Sequence, residues 1–72
     1  MSAVARTALV DEAIDAYVDW QEECLFVWDA YCRWAGAPQA DATLAFAAYA
    51  AALDREERAS AFYAGRISRL AQ

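Results

Sequence analysis

Histidine and lysine are absent from this 72-residue sequence, and cysteine is scarce at two residues. Those absences remove much ordinary chemistry. A zinc site has too few of its usual ligands, and the Glu-x-x-His element of di-iron bundles cannot be written. A cysteine or serine nucleophile lacks the neighbouring base that would activate it. No glycine-rich phosphate loop is present. The reading is a protein that is not an enzyme and that holds no metal or cofactor.

Helix breakers are equally rare. There are two glycines and one proline, and Gly36 and Pro38 lie together near the middle. The apolar fraction is 61%, and much of it is alanine, the strongest helix former. A basic stripe is missing, and the net charge is −5. This argues against nucleic acid, where phosphate neutralisation supplies most of the affinity, and against anionic membrane surfaces. The longest uncharged run, Ala42 to Leu53, is too short to span a bilayer. No compact apolar leader is legible before Asp11 and Glu12, so the expected location is cytoplasmic.

What is present is helical periodicity over one domain, residues 1–72. Helix 1 is expected over about 7–35, with Thr7 as its cap. Gly36 suits the left-handed position after a helix, and Pro38 suits the first turn of the next. A tight turn over 36–38 then leads into helix 2, about 38–70, lying antiparallel to helix 1. The fold class is all-α, a two-helix hairpin. Asp54 followed by Glu57 resembles a capping box. A break there, giving a three-helix bundle, is the alternative.

The apolar face of helix 1 holds Val10, Ile14, Tyr17, Trp20, Cys24, Val27, Trp28, Tyr31 and Trp34. Val18, Leu25 and Cys32 widen it further, and at ~100° per residue it covers an arc of roughly 160°, where a surface helix needs only somewhat over ~100°. Helix 2 reads Phe46, Tyr49, Leu53, Glu56, Ser60, Tyr63, Ile67 and Leu70, alternating steps of three and four. With the turn near residue 37, facing residues have numbers totalling about 73. The bulky half of helix 1 then meets the alanines of helix 2, and Asp11, Asp15 and Asp19 lie near Arg55, Arg58, Arg66 and Arg69. Cys24 and Cys32, about 12 Å apart along one helix, cannot bridge to each other.

Core or interface residues are therefore Tyr17, Trp20, Cys24, Trp28, Tyr31, Trp34, Tyr49, Leu53, Tyr63 and Ile67. Tyr17, Gln21, Glu56 and Ser60 are expected to form one polar layer, which fixes packing register or touches a small ligand. Phe26 and Phe62 fall off both stripes.

The surplus apolar arc points to a protein–protein interaction module. It self-associates as a homodimeric four-helix bundle or docks on a larger partner. The acids along helix 1 suggest a second class, an antidote or inhibitor that covers a basic protein. Small-ligand binding at the polar layer is a third.

Trp34-Ala35-Gly36 at the expected turn resembles the W-x-G of the WXG helical hairpins. That resemblance implies a dimeric hairpin exported by a dedicated secretion machine. Three residues carry it. The family's Tyr-x-x-x-acid export signal does not follow, because Ile67 stands in the acid's place after Tyr63, and Leu53 after Tyr49.

Overall fold

A computed structural model describes residues 2–72. Two long helices, α1 (Ala3–Ala35) and α2 (Ala42–Leu70), pack against each other as an antiparallel hairpin. The chain is all-helical, as its dearth of breakers demands.

Helix α1 begins earlier than the expected cap at Thr7. Ser2 caps it, accepting a hydrogen bond from the Ala5 N–H at 3.1 Å. Thr7 lies inside the helix and donates its hydroxyl to the Ala3 carbonyl at 2.9 Å. At the other end Gly36 has φ −98° and ψ 2°, so the left-handed cap is not used. Its N–H instead closes onto the Cys32 carbonyl, and that of Ala37 onto Trp34.

The connection is also longer than three residues. Pro38 is extended, with ψ 153°, and a 3-10 turn spans Gln39–Asp41 before α2 begins. The longer connection resets the register. Tyr17 packs on Tyr63, Tyr31 on Tyr49 and Trp34 on Phe46, pairs whose numbers total 80 rather than 73. The difference is one heptad, so the stripes stay in phase. Helix α2 runs unbroken through Asp54, which excludes the three-helix alternative. The capping-box pattern is overridden because the flanking residues are all helix formers.

The seam between the helices is narrower and smaller in side chain than the expected stripes. On α1 the seam positions are Leu9, Ala13, Ala16, Trp20, Glu23, Val27, Ala30 and Trp34. On α2 they are Ala45, Tyr49, Ala52, Glu56, Ala59, Tyr63, Arg66 and Leu70. Both sets step by three and four, the spacing of antiparallel coiled-coil packing. Among the described residues only Ala13, Ala16 and Ala52 are buried. Alanine at the line of closest approach lets the helices come close, and the large side chains are displaced to the flanks.

The molecule measures 58 × 14 × 11 Å, with a radius of gyration of 16.7 Å. A compact chain of this length has about 11 Å. Among the described residues, no helix is long and apolar enough to cross a membrane.

Candidate functional site

Each helix carries, one residue beyond its seam, a second set of three-and-four-spaced positions. On α1 these are Val10, Ile14, Tyr17, Gln21, Cys24, Trp28, Tyr31 and Ala35. On α2 they are Phe46, Ala50, Leu53, Glu57, Ser60, Ala64, Ile67 and Ala71. One step along a helix turns the side chain by ~100°. Because the two helices run in opposite directions, both second sets turn to the same side of the hairpin. The structure brings Val10, Ile14 and Tyr17 together with Tyr63, Ile67 and Leu70 around one shallow groove on that side.

This is the apolar side, and it is open. Trp28 is 65% exposed, Ile14 55%, and Val10, Tyr17, Tyr31, Phe46, Leu53 and Ile67 are also exposed. Its aromatics form two clusters. Near the turn, Trp34 stacks on Tyr49 and meets Phe46 edge-on, and Trp28 stacks on Tyr31. Midway along the hairpin, Trp20 stacks on Tyr63, and Tyr17 meets both edge-on. Such pairs hold the rings in fixed orientations. The surface is thus already shaped before anything docks on it.

The expected polar layer has a different composition. Glu56 accepts a hydrogen bond from the Trp20 indole Nε1 at 2.7 Å, in a part-buried position between the helices. Ser60 turns back to its own helix and donates to the Glu57 carbonyl at 2.9 Å. Tyr17 contributes its ring to the midway cluster, and Gln21 is exposed on the apolar side. The Trp20–Glu56 pair is not visible in a search for polar residues alone, because a tryptophan is read as apolar until its N–H needs an acceptor. Cys24 is half-buried and Cys32 exposed, both as free thiols.

The opposite side is ionic. Helix α1 presents Glu12, Asp15, Asp19, Glu22, Asp29 and Arg33 there, and α2 presents Arg55, Arg58 and Arg69. Arg66 at 3.5 Å and Arg69 at 3.5 Å share Glu12, Arg55 meets Glu23 at 3.4 Å, and Arg33 pairs along its own helix with Asp29. The cross-helix acids are Glu12 and Glu23 rather than Asp11, Asp15 and Asp19. Glu23 lies in the seam and Glu12 beside it, whereas Asp11 and Asp15 sit farther out and Asp19, one heptad after Glu12, has a shorter side chain. Arg66 also lies 4.5 Å above the Phe62 ring. Near the turn, Phe26 and Leu44 flank an open groove of about 370 Å³ floored by Ala30, Ala45 and Ala48.

Among the described residues no polar or charged side chain is buried, and no three potential metal ligands come together. No protein-family model, curated protein or solved structure matches the chain, so the W-x-G resemblance rests on its three residues.

Proposed function

We propose that this chain is a non-catalytic protein–protein interaction module that acts through the apolar side of its hairpin. The observation that carries this reading is the exposure of a continuous second seam. Eight large apolar residues, from Val10 to Ile67, stand open on one side of an 8.0 kDa protein. Exposed apolar surface of this extent, rich in tryptophan and tyrosine, is the mark of an interaction site rather than of a free monomer. A catalytic reading has little support, because reactive groups are usually tuned by burial and by charged neighbours in a cleft.

Hydroxyl-radical footprinting in the cells that make the protein tests the proposal. Trp28, Tyr31 and Phe46 should be protected, and Phe26, Leu44 and Phe62 on the ionic side should react. Equal reactivity on the two sides would contradict it.

The acids of α1 favour a second reading, an acidic cover for a basic protein. Asp15, Asp19 and Glu22 project from the ionic side. The arginines of α2 share that side and neutralise part of its field, so the apolar side carries the stronger argument. A basic partner bound there would protect Phe26 and Phe62, and its complex would weaken steeply with salt.

A further inference from the structure

We infer that the partner seated on the apolar side is a second copy of this chain, docked with both turns at the same end of a four-helix bundle. This rests on the interaction-module reading and names its partner.

The area comes first. The hairpin exposes 5253 Å². A compact monomer of 8.0 kDa exposes roughly 4450 Å². The surplus, about 800 Å², is what each partner buries in a standard stable interface. One further hairpin is therefore enough to cover it.

The second argument is register. Two hairpins face to face are related by a two-fold axis along their length or by one across it. The lengthwise axis keeps every residue at its own level. It lays α1 of one copy over α2 of the other, in the register that already holds within each hairpin. No sliding is left to choose, so the facing pairs follow directly from the second seams. Tyr17 falls opposite Ala64 of the second copy, Tyr31 opposite Ala50, Phe46 opposite Ala35, and Val10 opposite Ala71. Gln21 falls opposite Ser60. Large meets small or polar meets polar in these pairs, as dense interdigitation requires, while Ile14 meets Ile67, Trp28 meets Leu53 and Cys24 meets Glu57.

The crosswise axis lays α1 on α1 and α2 on α2. It sets α1, which carries seven acids and two arginines, against the α1 of the other copy. Its position along the hairpins is not set by symmetry, so it leaves the register free. The lengthwise arrangement instead places α1 over α2, whose four arginines outnumber its three acids. Ala64 is exposed in the lone hairpin, where a larger residue would fit as well.

The test combines sedimentation equilibrium with a distance measurement. A spin label at Gln39→Cys, with Cys24 and Cys32 changed to alanine, marks the exposed turn. Turns at the same end put the two labels within about 30 Å of each other, given helix separations of about 8–10 Å plus the label arms. A hairpin 58 Å long with turns at opposite ends puts them about 50 Å apart. A dimer with the short distance is expected. A dimer with the long distance overturns the arrangement. A monomer at tens of micromolar overturns the second copy as partner, and the footprint in cells then decides separately whether the interaction reading survives. Ala64→Arg gives an independent check. It should leave helicity intact and weaken self-association at least about 100-fold, as burying an unpaired charge does. Ala51→Arg on the opposite side should change neither, and equal effects from both variants would contradict the assignment of sides.

Discussion

Gly36 adopts a backbone conformation open to any L-residue. A Cβ built there would meet only the Cys32 carbonyl, at an ordinary 3.5 Å. Gly36→Ala should therefore leave the turn unchanged and raise stability by about 0.4–1 kcal/mol through the unfolded chain. Urea denaturation followed by circular dichroism checks this, and a loss of stability would mean the turn does need a glycine. Sequence reasoning assigned Gly36 the left-handed cap because glycine is enriched there. The choice between that cap and a 3-10 turn depends on where α2 must land, which no local pattern contains. The Trp20–Glu56 bond is the other residue-scale feature to test. Trp20→Phe strips a half-buried carboxylate of its donor and should cost about 1–2 kcal/mol. Adding Glu56→Leu removes the orphaned charge, and the double variant should recover most of that loss. If it does not, the ring packing of Trp20 on Tyr63 is what the single change destroyed.

Ala52, 1% exposed, sits where α1 and α2 approach most closely. Ala52→Leu forces a larger side chain into that line and should cost about 1–3 kcal/mol, whereas the exposed neighbour Ala51→Leu should be neutral. Thermal unfolding of the two variants side by side reads the difference, and equal melting temperatures would place the seam elsewhere. At the scale of elements the sequence was readable in kind but not in rotation. Two long helices, the antiparallel pairing and the phase of the stripes follow from three-and-four spacing and from the scarcity of breakers. The seam itself was obscured because a stripe is recognised by its large residues. Ile14, Tyr17 and Trp28 mark a face that lies beside the contact, and Ala13 and Ala16 of α1, which make the contact, carry too little apolar bulk to mark theirs. The register was off by one heptad, which kept the helix faces in phase and left the surplus of apolar surface standing.

The hairpin is a thin rod, 14 × 11 Å in cross-section, and a rod of that width has no interior to hold ten aromatic residues. This one sorts them instead. Ion pairs and most arginines occupy one side, and eight of the fourteen exposed large apolar residues occupy the other. That sorting was only half legible beforehand. The over-wide arc of α1 signalled unburied surface, but its location needed the true seam. Charge acts against association, because each copy brings −5 to the pair. Screening should therefore tighten the dimer, and its dissociation constant should fall several-fold between low and moderate salt. An acidic cover for a basic protein would show the reverse. Sedimentation equilibrium of the pure protein at micromolar concentration, beside Trp28→Glu, is the most direct measurement of whether the apolar side is built to be covered by its own kind. The wild-type chain should sediment with twice its 8.0 kDa mass, and the variant as a helical monomer. A wild-type chain that is folded, monodisperse and monomeric under those conditions would contradict the account.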